Sequence, residues 1–165
     1  MDRFVIESIE RRVLLAASTP LYVNAGGGAM LDGLSRPFAA EFGFSGGHTV
    51  QAPVFDDPAT AGNDAIFSSY HAGESFSFSA PVSNGHYALF LEFAEPDPTA
   101  VAGQRTFDAF AEGAQVLDDF DVVAAAGGAQ KVVAKSVDTN ITDGSLDLSF
   151  QGVVGEAMVS AIGRP

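Results

Sequence analysis

The sequence predicts an all-β fold, an antiparallel sandwich or barrel. Three observations carry this. Short apolar runs alternate with Gly, Asn, Asp and Pro from Thr19 onward, apolar side chains recur at every second position within the runs, and helical periodicity is nearly absent. The runs recur about every ten residues, the spacing of strands joined by turns. With 165 residues, 47% of them hydrophobic, the chain encloses one sizeable core and is short for two. One domain is therefore expected over residues 19–165, with under about a tenth of it in helix, well below the usual share.

The first strand falls at 21–24, where Leu21, Tyr22 and Val23 precede Asn24 and a glycine run. Further strands are expected at 48–52 and 65–69. Phe76 and Phe78 then alternate with Ser75, Ser77 and Ser79, ahead of Pro81-Val82-Ser83-Asn84-Gly85, which has Asn-Gly turn chemistry. The clearest strand follows at 86–95. Tyr87, Leu89, Leu91 and Phe93 fall on one face and Ala88, Phe90 and Glu92 on the other, as in a central strand covered on both sides. These two runs together read as a hairpin. Strands are expected next at 105–112 and 116–119, and 122–128 reads as one helical turn or a loop, ended by Gly127-Gly128. A strand at 131–137 follows, Asp143-Gly144 supplies a second hairpin turn, Leu146, Leu148 and Phe150 alternate in a strand at 146–150, and 157–162 closes the set.

Several function classes fall on composition. The absence of Cys removes disulfides, thiolate metal sites and cysteine nucleophiles. Acids outnumber Lys and Arg 21 to 8, and the first 18 residues carry three of each sign, so the net charge of −13 lies in the domain. Such a field repels phosphate backbones and anionic membranes, so no nucleic-acid partner is expected. No run approaches the ~18–20 apolar residues of a membrane span. No Gly-x-Ser-x-Gly or His-Glu-x-x-His is present, and Gly26-Gly27-Gly28 lacks the Lys-Ser/Thr of a phosphate-binding loop. No catalytic residue and no cofactor is assigned. Asp118, Asp119 and Asp121 cluster, and the run 138–144 superficially resembles a calcium loop, but its third acid comes one residue late. No metal is expected.

Residues 1–18 differ from the rest. Their apolar run, Val13 to Ala17, is shorter than the core of about 7–15 residues in an ordinary secretory signal. The stretch Glu7-Ser8-Ile9-Glu10-Arg11-Arg12-Val13-Leu14-Leu15-Ala16-Ala17 resembles the L-E-x-R-x-L-L-x-A leader of many large exported proteins of planctomycete-type bacteria. That resemblance implies a leader at 1–18 and a secreted or otherwise extracytoplasmic bacterial protein.

Across essentially all of residues 20–162, four stretches in order resemble the malectin family. They are Tyr22-Val23-Asn24-Ala25-Gly26-Gly27; Asp64-Ala65-Ile66-Phe67-Ser68-Ser69 with Phe76-Ser77-Phe78; Pro81-Val82-Ser83-Asn84-Gly85-His86-Tyr87 with Leu91-Glu92-Phe93-Ala94-Glu95; and Gly103-Gln104-Arg105-Thr106-Phe107-Asp108 with Gly113, Val116-Leu117 and Asp119-Phe120-Asp121. The resemblance implies an antiparallel β-sandwich of the jelly-roll, galactose-binding-like type. It also implies a sugar site formed by loops at one end.

The family's sugar-contacting positions are loop tyrosines, a Tyr-Phe pair after the F-A-E strand, and a late Asp. Here Asp97 and Pro98 replace the pair, Tyr70-His71-Ala72-Gly73 meets the family's E-R-aromatic-G, and the late Asp aligns with Gly155, beside Glu156. The candidate ligand-binding residues are therefore Tyr70, His71, Asp97, His48 and Glu156, with Tyr70 expected in an exposed loop, its ring free to stack on a sugar. The implied function is non-catalytic binding of a neutral carbohydrate, a glucan-like oligosaccharide or polysaccharide; the alternative is docking of a cell-surface protein. Asn24, Asp64, Glu95 and Asp108 match family motifs at strand ends and are read as structural, with Arg105 placed to pair with one of them.

Overall fold

The computed structural model describes residues 20–60 and 64–164, so the expected leader at 1–18 lies outside the described residues. Its elements in order are β1 (Leu21–Asn24), β2 (Met30–Leu31), β3 (Pro37–Phe38), β4 (Phe44–Gln51), a 3₁₀ turn (Asp64–Ser68), β5 (Ser69–Pro81), β6 (Gly85–Ala94), β7 (Thr106–Ala111), β8 (Ala114–Phe120), α1 (Val122–Ala126), β9 (Val132–Ile141), β10 (Ser145–Val154), β11 (Ala157–Val159) and β12 (Ala161–Arg164). Strand makes up 56% and helix 7% of them, as the alternating pattern predicted. One sheet has the order β1-β12-β6-β9; the other has β11-β5-β10-β7-β8, with β4 on the free side of β5. The strands of both sheets pair antiparallel.

The sheets pack face to face because each strand turns one apolar row inward. Leu89, Leu91 and Phe93 of β6 meet Phe76 and Phe78 of β5, Phe107 of β7 and Leu146, Leu148 and Phe150 of β10 in one buried core. Phe93 sits 5.7 Å from Phe107 and 5.1 Å from Phe120, ring centre to ring centre, and Phe76 stacks on Phe150 at 4.7 Å. Tyr87, expected in the same buried row, is only half-buried. Its ring lies under the Arg164 guanidinium at 4.5 Å and its hydroxyl donates to the Ser83 carbonyl (2.8 Å). A second cluster of Phe38, Phe55, Ile66, Phe67, Ala94 and Ala161 covers the outer face at the end of β6 and on β12; β6, expected to be covered on both sides, has Ala88 exposed and Phe90 and Glu92 half-buried on that face.

Both expected hairpins are instead crossings between sheets. β5 and β10 belong to the larger sheet, β6 and β9 to the smaller, so Pro81–Gly85 and Asp143-Gly144 carry the chain across the core. Period-two alternation gives each strand its inward face, but the same pattern serves strands that pair edge to edge and strands that stack. The two crossings brace one another: the Val82 N–H donates to the Gly144 carbonyl (3.0 Å) and the Asn84 amide to the Thr142 carbonyl (2.9 Å).

Three further expectations are corrected. The segment 65–69 is mostly a 3₁₀ turn, because consecutive Ile66 and Phe67 are both buried in the outer cluster, whereas a strand would send them to opposite faces. The single strand at 157–162 divides at Ser160 into β11 and β12, one in each sheet. Tyr70 and His71, expected in a loop, open β5 and are buried. The undecided stretch after Asp121 forms α1, whose first turn is capped by the Asp121 carboxylate (Ala124 N, 2.9 Å) and which ends at left-handed Gly127.

Candidate functional site

β5 leaves for the other sheet at Pro81, and β6 returns along it, so the start of β5 and the loop after β6 reach the same end of the sandwich. An open cleft of about 200 Å³ lies there, lined by Glu95, Asp97, Val101, Gln104, Arg105 and Val123 among others. Its walls are fixed by short-range bonds. Asp97 accepts from the Thr99 N–H (2.8 Å) and hydroxyl (2.7 Å), which hold its carboxyl below the usual carboxylate range. The Gln104 side chain accepts from the Val101 N–H (3.1 Å), and Asp121 accepts from the Gly103 N–H (2.5 Å). Arg105 straps the site together, donating from Nε to Glu95 (3.0 Å) and from Nη1 to the Glu156 carbonyl (2.8 Å).

Tyr70, at the start of β5, feels the charges of the same groups. Burial raises its phenol above the ordinary tyrosine value; Arg105 opposes that shift, and Glu95, Glu156 and Asp97 add to it. The side chain belongs to the core, at 8% exposure, yet its hydroxyl makes no hydrogen bond among the described residues and is not sealed from solvent. Its backbone position is set by the glycines after β1. Gly26 has φ +74° and lies so close that a Cβ there would meet the Tyr70 carbonyl and stand 2.8 Å from its nitrogen. The Asn-Ala-Gly-Gly motif therefore gives β5 the clearance to start at this point.

Four of the five residues singled out from the sequence come to this end: Tyr70, Asp97, Glu156 and His48. His48 stands opposite Ala72 on β4, and its Nε2 lies 3.7 Å from the Glu156 carboxylate. His71 is not among them. Neighbouring strand residues face opposite ways, and its ring stacks on Phe44 at 4.3 Å, with Nδ1 3.2 Å from Glu41 and Nε2 2.8 Å from the Gly46 carbonyl. Both ring nitrogens are thus engaged, and the Glu41 carboxylate also accepts from the Gly26 N–H. His71 ties β4, β5 and the glycine turn together and offers no polar atom to a ligand. Arg105, expected to pair with one of Asn24, Asp64, Glu95 and Asp108, pairs with Glu95, and the two line the cleft.

Two other places on the domain are concave or acidic. A cleft of about 490 Å³ at the crossing end is lined by Pro20, Leu21, Pro81 and Val82 with Arg164 as its one charged side chain, and it borders residues outside the described ones. The oxygens of Glu112, Asp143 and Asp147 lie within 4.8 Å of one another, but each carboxylate already serves its turn: Glu112 accepts from Asp147 N (2.8 Å), Asp143 from Ser145 N (3.1 Å) and Asp147 from the Ser145 hydroxyl (3.2 Å).

The malectin domain model matches residues 21–162. This chain belongs to the malectin domain family. Malectin domains are binding modules rather than typical catalysts. No functionally characterised protein shows significant sequence similarity to this chain. Among solved structures, the malectin domain is similar to the ANX2 ectodomain of Arabidopsis thaliana (TM-score 0.74, 18% identity, 87% of this chain and 49% of that one). It is likewise similar to a plant receptor structure, the peptide RALF23 in complex with FER and LLG2 (TM-score 0.75, 15% identity, 87% and 47%). A third is the β-glucuronidase of Bacteroides uniformis (TM-score 0.73, 18% identity, 88% and 18%). The chain spans about half of the plant chains and under a fifth of the glucuronidase, and at these identities the likeness is one of fold.

Proposed function

We propose that this malectin domain is a non-catalytic carbohydrate-binding module of an exported bacterial protein, taking neutral glycan in the cleft lined by Asp97, Val101, Arg105 and Val123, with Tyr70 and Glu156 near it. The observation that carries the reading is the cleft's lining: the apolar side chains of Val101 and Val123 stand beside Asp97, Gln104 and Arg105, whose polar atoms are held in place by bonds within the domain. A pyranose needs such a pairing, apolar surface for its C–H face and rigid polar groups for its hydroxyls. Binding without catalysis agrees with the family, whose domains are binding modules rather than typical catalysts. Export rests on the leader resemblance at 1–18.

Affinity electrophoresis through gels containing neutral glucans tests the reading. Retardation is expected for the native chain and not for Val101→Arg, whose long side chain fills the cleft from a position more than half exposed, so that folding is preserved. Equal retardation of both proteins would place binding elsewhere. The second reading, protein docking, is favoured by the similar plant fold found with a peptide and a second protein. Its signature is no retention on any glucan together with pull-down of an envelope protein that Val101→Arg abolishes. Fractionation tests export: the full-length chain found only in the cytosol removes that part of the reading.

A further inference from the structure

The cleft beside Asp97 is built almost wholly from one loop. Among the described residues, every lining side chain except Val123 lies between Glu95 and Arg105. Two turns coil that loop on itself: the Ala100 N–H donates to the Asp97 carbonyl (3.1 Å) and the Gln104 N–H to the Val101 carbonyl (3.3 Å). The Asp121 carboxylate, which also caps α1, accepts from the Gly103 N–H and so sets Val123 against the coil. Arg105 anchors the end of the loop to the Glu156 carbonyl (2.8 Å). A groove that carries a polymer through runs between separate loops, whereas a hollow within one coiled loop takes a ring at its mouth. At about 200 Å³ it is also smaller than the ~300–1,000 Å³ pockets that bury a drug-sized ligand, with room for one sugar ring and not two.

The hydrogen-bonding capacity left on its lining is one acceptor beside two donors. Asp97 takes both Thr99 bonds on Oδ1, and among the described residues Oδ2 accepts none. Gln104 uses its side-chain oxygen on the Val101 N–H (3.1 Å), and its Nε2 donates to no described residue. Arg105 uses Nε and Nη1 and has Nη2 left. Two adjacent hydroxyls of a pyranose match this set, because each donates once and accepts twice: one donates to Asp97 while the pair accepts from Gln104 and Arg105. An internal residue of a 1,4-linked glucan has one such pair, flanked by linkages on both sides. The residue at the non-reducing end has a second pair, at the tip of the chain.

We infer that the cleft recognises the single glucose residue at the non-reducing end of a neutral glucan, through its adjacent hydroxyls, and does not follow the chain. The inference rests on the reading of the cleft as a glycan site. Affinity is then set by one ring, with a Kd on the order of 1 mM for so small a ligand, and is the same for a short and a long chain.

The test follows the amide NMR signals of Thr99, Val101 and Gly103 in the isotope-labelled full chain. The probes are the methyl α- and β-glucosides, maltohexaose, cellohexaose and cyclomaltohexaose, which has the residues and linkage of maltohexaose and no end. One glucoside is expected to move these signals with a Kd within about threefold of the linear hexamer of the same anomer, and the cyclic hexamer to leave them in place. Val101→Arg abolishes the shifts. Asp97→Asn keeps an oxygen for Thr99 but turns the unused one into a donor, so it weakens glucoside binding about tenfold without moving the thermal midpoint. A linear hexamer that binds more than about tenfold tighter than its glucoside overturns the inference and leaves the glycan reading standing, because further rings are then held. So does a cyclic hexamer that binds like the linear one, or an Asp97→Asn protein that binds undiminished. Silence of the three signals with every probe also overturns it, while retardation in neutral glucan gels decides the wider reading separately.

Discussion

Replacing Tyr70 by alanine and by phenylalanine separates its two roles. The ring is packed in the main core at 8% exposure, so Tyr70→Ala removes a large buried aromatic and leaves a cavity, a change that costs about 3–5 kcal/mol. For a domain of this size each kcal/mol moves the midpoint by about 2–4 °C, so Tm should fall by roughly 6–20 °C. Tyr70→Phe keeps the ring and removes a hydroxyl that has no partner among the described residues, so stability should stay within about 0.5 kcal/mol. Binding should respond the other way. If the hydroxyl meets a ligand, its loss removes one hydrogen bond of about 0.5–1.5 kcal/mol, roughly a two- to tenfold weaker retention on a bound glycan. Scanning calorimetry and affinity electrophoresis on both variants read the two effects. A Tyr70→Ala protein that melts with the native chain refutes the core placement; a Tyr70→Phe protein that binds undiminished refutes the role of the hydroxyl.

Three other substitutions bear on the fold that holds the site. Leu91→Ala, at 1% exposure in the centre of β6, should lose about 2–5 kcal/mol in denaturant titration, and a near-neutral result would mean its inward face is misassigned. Gly26→Ala should destabilise by more than the ~1–2 kcal/mol of a left-handed non-glycine residue, because its Cβ also meets the Tyr70 backbone; native-like melting would remove the link between the glycine motif and the start of β5. Glu92 lies under the β2–β3 hairpin with Oε2 unbonded, and burial raises its carboxyl above the usual range despite Arg36 at 3.7 Å. The folded chain therefore keeps this proton to higher pH than the unfolded chain does. Stability from the neutral form is complete below the unfolded value and is lost as pH rises through the folded one. Glu92→Gln should raise Tm near neutral pH and lose that advantage below about pH 4, where the Glu92 carboxyl is protonated in the folded and the unfolded chain alike; an advantage that stays constant across that range would contradict the sign.

The strands were legible because their signal is local. β6 shows its buried row in its own ten residues, and β1 ends where Asn24 meets the glycines. Pairing was not legible for the same reason. Nothing within β5 or β6 distinguishes an edge-to-edge partner from one across the core, and what forces the crossing is the bracing of Val82 and Asn84 against a loop about sixty residues later in the chain. The segment after Asp64 misled in another way: apolar content suggested a strand, but the adjacency of Ile66 and Phe67 required both to point into the outer cluster.

The site was legible as a neighbourhood and not as a set of roles. Tyr70, Asp97 and Glu156 could be placed at one end because the family order of strands brings their segments together, but whether a side chain faces the cleft or the scaffold depends on partners distant in sequence. His71 is the clearest case. It stands next to Tyr70, yet its ring is claimed by Glu41, thirty positions upstream, and by the Gly46 carbonyl, so the two neighbours part: one ring ties β4, β5 and the glycine turn together and the other packs in the main core. The converse holds for Arg105 and Glu95. Arg105 could be anticipated to pair with one of the strand-end polar residues, and the partner it takes is Glu95. Its guanidinium also reaches the Glu156 carbonyl, so the side chain that ties the loop after β6 to the turn before β11 is at the same time a wall of the cleft.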